Sequence, residues 1–265
     1  MTYRCFSDIQ QMFEQTDNTP KLSRRQGCSM DYSEFKQSVN LSRQDFYRRI
    51  FMENRANIRV KKEDTVVKNL EKIFCAALRL SNRNGFQAMS IRDLGREAGL
   101  SMGALYAYFS SKEELFGMLQ TQAQVHVRRI LEEWISRESH PAARLRTAIQ
   151  THLYLSEDLQ PWFYFSFMEA KTFGADDAAS IRSNEEYIED VVRDILENGV
   201  RTGIFAARNC HLTASAVKAL LQDWYLTRWR FARDHISIDQ YVAFTIALVE
   251  SFCMAENPSS EDHPA

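Results

Sequence analysis

The chain has 265 residues, 45% of them hydrophobic and 26% charged, with a formal net charge of -2. That length holds one large or two modest domains with a proper core. The near-neutral total excludes a histone-like basic coat but leaves room for a local basic patch.

Nine glycines and five prolines are too few for a turn-rich β architecture and favour helices. The cysteines Cys5, Cys28, Cys75, Cys210 and Cys253 are odd in number and never spaced as CxxC. No disulfide framework or zinc site is legible, and a reducing cytoplasm is the expected compartment. No apolar run approaches the roughly 20 residues of a membrane span. The start, MTYRCFSDIQQMFEQ, lacks the apolar core of a signal peptide.

In chain order, residues 1–60 read as a polar, interrupted extension, in which Asp17-Asn18-Thr19-Pro20 breaks any helix begun at Ser7. From Val66, the residues Leu70, Ile73, Phe74, Ala77 and Leu80 recur at three- and four-residue steps. They predict an amphipathic helix stopped by Asn84-Gly85. A short helix over Ile91–Ala98 follows, with Ser90 as its N-cap and Asp93 at the third position. Gly99-Leu100 makes a tight turn, and Ser101 caps a second short helix running to about Phe109. Ser111-Lys112-Glu113-Glu114 is a capping-box start for a long helix reaching Ile135. The remainder reads as helices over Pro141–Leu159, Pro161–Thr172, about Ala178–Thr202 closed by Gly203, Thr213–Asp234 and Ser237–Ala255. A solvent-facing tail occupies 257–265. The expected fold class is all-α.

Two short helices with a glycine at their turn, after a longer helix, make a helix-turn-helix. Ile91, Leu94, Ala98, Leu100, Leu105 and Phe109 would face inward and fix the angle between them. The other positions of the second helix, Ser101, Met102, Gly103, Ala104, Tyr106, Ala107 and Tyr108, are small or amphipathic. Small residues at a helix N-terminus admit close approach to base edges in the major groove. The positive helix end, with Lys112, suits phosphate oxygens. An ordinary three-helix packing unit has the same short capped helices, so spacing alone leaves both readings open.

The segment GFQAMSIRDLGREAGLSMGALYAYFSSKEEL, residues 85–115, closely resembles the DNA-binding domain of the TetR family of bacterial regulators. The resemblance is carried by the glycine after the first helix, Ser90 to Leu94, Ala98 to Ser101, Leu105-Tyr106, Tyr108-Phe109 and Ser111 to Leu115. It implies an N-terminal three-helix DNA-binding domain over 61–115 and a C-terminal helical ligand-binding and dimerisation domain over 116–256. It also implies a double-stranded operator as partner, a homodimer, and no cofactor. By the same resemblance, Ser90 and Arg92 make backbone or edge contacts, and Ser101, Met102, Gly103 and Ala104 occupy base-reading positions. Tyr106, Tyr108 and Lys112 clamp phosphates. Met102 stands where many relatives carry a polar or basic residue, and Ala104 where a hydroxyl is common. Base reading would then lean on thymine methyls and DNA shape.

Shifting the chain by 59 residues lays MDYSEFKQSVNLSRQDFYRRIF (30–51) over MSIRDLGREAGLSMGALYAYFS (89–110). Met30/Met89, Leu41/Leu100, Ser42/Ser101 and Tyr47/Tyr106 coincide, with apolar matches at Tyr32/Ile91, Phe35/Leu94, Val39/Ala98 and Phe46/Leu105. This reads as a degenerate half-repeat within the extension, its first helix spoiled by Pro20. Residues 43–62 carry seven Lys/Arg against Asp45 and Glu53. They would either add phosphate contacts beside the helix-turn-helix or form a solvated arm or leader.

Farther on, Gly199-Val200-Arg201-Thr202-Gly203-Ile204-Phe205 resembles the turn before the last two helices of the family, which build its dimer bundle. The resemblance assigns the dimer interface to Val217, Leu220, Leu221, Tyr241, Thr245, Leu248 and Phe252. The aromatic run Trp162, Phe163, Tyr164, Phe165, Phe167 with Met168, joined by Tyr154, Trp224 and Trp229, is expected to line a mostly apolar small-molecule pocket. Plain core packing is the competing reading. A hydrophobic acyl or aryl effector, or its CoA thioester, would suit the pocket, with Arg228, Arg230 and Arg233 near an anionic end. His126 and His152 read as structural. No GxSxG, HExxH, GxGxxG or P-loop pattern points to an enzyme.

The expectation is a repressor released from a palindromic operator by population shift, with helices 111–135 and 141–159 transmitting the change. The rival is a sequence-indifferent architectural DNA-binding or helical interaction protein.

Overall fold

The structure, a computed structural model, describes residues 30–40, 43–169 and 175–254. The expected break at Asp17–Pro20 and the tail 257–265 lie outside the described residues. Among the described residues there are twelve α-helices and no strand. In chain order they are α1 (Tyr32–Asn40), α2 (Arg43–Glu53), α3 (Glu63–Asn84), α4 (Ile91–Ala98), α5 (Met102–Leu105), α6 (Lys112–Ile135), α7 (Pro141–Asp158), α8 (Gln160–Glu169), α9 (Ala175–Arg201), α10 (Cys210–Leu226), α11 (Arg228–Arg233) and α12 (Ile238–Cys253). None of these is long and apolar enough to cross a membrane.

Local chemistry explains most boundaries. The stripe Val66, Leu70, Ile73, Phe74, Ala77 and Leu80 is buried on α3, which stops at Gly85. Ser90 caps α4 by accepting the Asp93 N–H at 3.1 Å. Gly99 ends α4 with a left-handed φ of 66°, a conformation in which a Cβ is strained. Ser111 Oγ accepts the Glu114 N–H at 3.1 Å to start α6. The return half of that cap is displaced by one residue, because the Glu114 carboxylate accepts from the N–H and hydroxyl of Ser110, both at 2.6 Å. Ser237 and Gln240 form a reciprocal capping box on α12.

Two boundaries differ from expectation. Helix α5 is only four residues long and does not reach Phe109. Its chain tightens into three-residue turns, with Ala107 N–H donating to Ala104 O and Tyr108 N–H to Leu105 O. The single helix expected over Thr213–Asp234 is divided into α10 and α11 at Thr227. There the hydroxyl folds back on the Asp223 carbonyl (2.8 Å) and carboxylate (3.0 Å), sharing that carbonyl with the Thr227 N–H at 2.9 Å.

The chain forms two compact units. Among the described residues, the first comprises 30–40, 43–123 and 161–169. Phe35, Ile50, Ile58, Leu70, Ile73, Leu94, Leu105 and Leu115 fill its core. Helices α1 and α2 begin 59 residues before α4 and α5. Helix α1 also opens on a reciprocal cap, Asp31 accepting the Glu34 N–H and Glu34 accepting the Asp31 N–H.

The second unit comprises, among the described residues, Gln124–Gln160 and 175–254, and centres on Trp224, whose ring stacks on Phe231 and tilts against Tyr241. Within it the Trp224 indole and the Arg228 guanidinium both donate to the Glu157 carboxylate, the arginine through two bonds of 2.8 and 2.9 Å. The turn after α9 closes on Gly199, where any Cβ would fall inside the Phe205 ring. The backbone N–H groups of Ile204 and Phe205 both donate to the Gly199 carbonyl.

Candidate nucleic-acid interface

The helix-turn-helix is held from within. Leu94, Ala98, Leu105 and Phe109 are buried, as their spacing predicts, and they fix α5 against α4 and α3. This orientation leaves Ser90, Arg92, Ser101, Met102, Gly103 and Tyr106 exposed, with Ala104 half-buried beside them. Ser101 Oγ accepts the Ala104 N–H at 3.1 Å, which leaves its O–H proton free to donate. A Cβ at Gly103 would meet open space. Arg92 has no salt bridge among the described residues and is therefore available to an external anion. Its neighbour Arg96 is occupied by Asp93 at 3.0 Å. The Ser90 hydroxyl, foremost among several contacts, holds the Asp93 carboxyl below its ordinary range.

Two residues expected on this surface turn inward. Tyr108 is buried, and its hydroxyl accepts from Asn69 Nδ2 at 2.7 Å. Burial raises its pKa. It is a strut between α3 and the turn after α5, not a phosphate clamp. Lys112 spends its ammonium on three backbone carbonyls, those of Phe86 (3.1 Å), Gln87 (2.9 Å) and Met89 (3.3 Å). It closes the loop ahead of Ser90 and has no proton left for phosphate. Sequence spacing could not reveal either role, because both partners lie more than 20 residues away.

The aromatic residues expected to line a pocket are divided between the two units. Trp162, Phe163, Phe165, Phe167 and Met168 belong to the first unit, whereas Tyr154, Trp224 and Trp229 belong to the second. Phe165 completes a ring cluster with Phe86 and Phe116. Trp162 packs edge-on to Phe163. Met168 and Trp229 are exposed and Phe167 is half-buried. Tyr154 donates to Asp239 at 2.5 Å, and Trp224 is engaged by Glu157. Phe165, Trp162, Tyr154 and Trp224 are thus each engaged within their own unit. The three arginines offered for an anionic end are paired internally: Arg228 with Glu157, Arg230 with Asp223 and Arg233 with Asp234. His126 is buried, and burial pushes the His152 imidazole down to about 4.

The expected interface stripe divides in the same way. Val217, Leu221, Tyr241 and Thr245 are buried within their own unit, and Leu220 is half-buried. Leu248 and Phe252 are exposed, and the sequence reading missed Phe244, one helical turn before Leu248. Helix α12 is apolar on nearly every side, so periodicity could not separate its inward face from its outward one. Leu212, at the start of α10, is likewise exposed and was missed.

Comparison with known proteins agrees with this architecture. Residues 73–119 match the family described as bacterial regulatory proteins, tetR family, and residues 138–247 match the tetracyclin repressor-like C-terminal domain. The chain is 24% identical over 190 residues to the HTH-type transcriptional regulator HbdR of Aromatoleum sp. (strain CIB), spanning 71% of this chain and 82% of that one. Among solved structures it resembles PfmR, a TetR family transcriptional regulator from Thermus thermophilus. The TM-score is 0.56 at 25% identity, over 67% of this chain and 94% of that one. It also resembles AibR, solved in complex with isovaleryl coenzyme A and operator DNA. There the TM-score is 0.56 at 15% identity, over 69% of this chain and 97% of the other. With a matching model at each end of the fold and a capped helix-turn-helix between α3 and α6, the chain belongs to the TetR family of DNA-binding transcriptional regulators.

Proposed function

We propose that this protein is a ligand-responsive repressor. As a homodimer it sets α5 into successive major grooves of a palindromic operator, and it releases the DNA when a small hydrophobic effector binds the second unit. The observation that carries this reading is the outward face of α5. Met102 and Tyr106 are 44% and 41% exposed and flank Gly103, where the surface is open. Met102 suits a thymine methyl, and Gly103 and Ala104 let a groove edge approach. The Ser101 and Tyr106 hydroxyls donate to base edges or phosphates, and Ser90 and Arg92 steady the flanking backbone.

Reading a palindrome requires two such faces about 34 Å apart, which calls for a symmetric pair of subunits. Helix α12 supports that pairing. Phe244, Leu248 and Phe252 stand at four-residue steps with exposures of 61, 44 and 71%, too much apolar side chain to leave in water on a lone subunit. We assign the subunit contact to this row together with Leu212. The effector class, an acyl compound or its CoA thioester, is carried over by fold from AibR. Its binding would favour a dimer geometry that no longer matches the half-site spacing.

The test is selection of bound fragments from random DNA by the wild-type protein and by Tyr106→Ala. A palindromic enriched site, absent with the variant and released by an acyl-CoA from a panel of such thioesters, is the expected result. Binding that is salt-dependent but indifferent to sequence would instead make the protein architectural.

A further inference from the structure

The extension ends in a basic run. Residues 55–62, Arg-Ala-Asn-Ile-Arg-Val-Lys-Lys, carry four basic side chains and no acid. They leave the end of α2 and reach the start of α3 without helical structure beyond a turn. Ile58 is buried and Val60 half-buried, whereas Arg59, Lys61 and Lys62 are exposed, so apolar residues anchor the segment while charges face out.

Its position is fixed by one contact in particular. The Arg59 N–H donates to the Ala107 carbonyl at 2.8 Å, in the turn that directly follows α5. Asn57 Nδ2 adds a bond to the Glu114 carboxylate, and Glu53 accepts from Gln122. Arg48, just upstream, is committed to Asp45 and Glu63. Arg59, Lys61 and Lys62 have no salt bridge among the described residues.

We propose that Arg59, Lys61 and Lys62 form a phosphate-binding segment alongside α5, and that helices α1 and α2 serve to hold it there. This rests on the reading that α5 occupies the major groove. When it does, a segment bonded to the residue after Tyr106 lies at the rim of that groove, where the phosphodiester backbone runs. Three unpaired cations at that rim meet phosphate oxygens and release counterions. They read no sequence, because phosphates carry none. The extension therefore adds affinity and salt sensitivity while leaving the recognised sequence to α5.

The experiment uses the full chain and fluorescence anisotropy with a duplex, across about 50 to 300 mM KCl. The triple variant Arg59→Gln, Lys61→Gln, Lys62→Gln is expected to flatten the slope of log K against log[KCl] by about 2 to 3, at roughly 0.9 per phosphate contact. Affinity at low salt should fall about tenfold or more, with the same enriched sequence and an unchanged thermal midpoint. Lys61→Gln alone should remove about one contact's worth of slope. A control with the same loss of charge elsewhere, Arg137→Gln, Arg201→Gln, Arg208→Gln, should leave the slope as in wild type. An unaltered slope in the arm variant, or an equal change in the control, overturns the proposal. Failure of the operator reading looks different: the wild type would enrich no sequence, while the slope measured on any duplex would still decide the role of the basic segment.

Discussion

Helices α1–α2 and α4–α5 make a natural experiment within one chain, since each pair starts at the same relative positions and opens on a side-chain cap. At the matched sites in the first helix, Phe35 and Leu94 are both buried. The pairs part in the second helix. Leu105 is buried and Tyr106 exposed, whereas their counterparts are reversed in emphasis, with Phe46 half-buried and Tyr47 only 7% exposed. One residue of rotation, about 100°, separates the two inward faces.

Length explains the change. Helix α2 runs for 11 residues and buries Tyr47, Ile50 and Phe51 together, the Tyr47 ring meeting Phe74 of α3 edge-on at 5.9 Å. Helix α5 ends after four residues, with Leu105 as its anchor, and so keeps its other sides open. Caps decide where a helix begins. What lies beneath it decides which residues are left to meet a partner.

The largest effects are expected at the shared buried sites. Phe35→Ala and Leu94→Ala are each expected to cost about 3 kcal/mol or more, read as a drop in the urea midpoint at unchanged m-value. A negligible cost for Phe35→Ala would mean that α1 does not belong to the folded unit. The divergent sites come next. Tyr47→Ala should destabilise by about 3 kcal/mol. Tyr106→Ala should leave stability within about 0.5 kcal/mol and lower operator affinity about tenfold or more. The opposite pattern would exchange the roles of the two helices.

Smaller effects test the caps. Ser90→Ala and Asp31→Ala should each cost about 1 kcal/mol in thermal or urea unfolding. Smallest is the acid response of Asp93. Its folded pKa lies below the ordinary value of 3.8, so its stabilisation is present above that value and fades as pH falls through the folded one. Ser90→Ala should raise the Asp93 titration midpoint seen by NMR, and no change would place the cause elsewhere.

These contrasts also show what could be read without coordinates. The helix-turn-helix was legible because Ser90, Gly99, Ser101 and Ser111 act on backbone groups within a few residues. Its inward side was legible because Leu94, Ala98 and Leu105 follow the helical period. The inward turn of Tyr108 was not, since it depends on Asn69 on another helix. The break at Thr227 was hidden by apolar periodicity that continues through Trp224 and Phe231. The outward row of α12 was masked because Tyr241 and Thr245, which face the core, alternate with Phe244 and Leu248, which do not. Position along the chain gives no hint that Phe165 completes a ring cluster with Phe86 and Phe116.

The three carbonyls around Lys112 carry a last implication, one of proton stoichiometry. An ammonium holds three protons in a tetrahedral array, and here each has an oxygen within 3.3 Å. The same cation sits in the first turn of α6, where a helix end disfavours positive charge, so the carbonyl dipoles are what make that location tolerable. A flat guanidinium of equal charge has no such geometry. At this position a lysine-to-arginine exchange conserves electrostatics while undoing the connectivity that tethers the approach to the reading head.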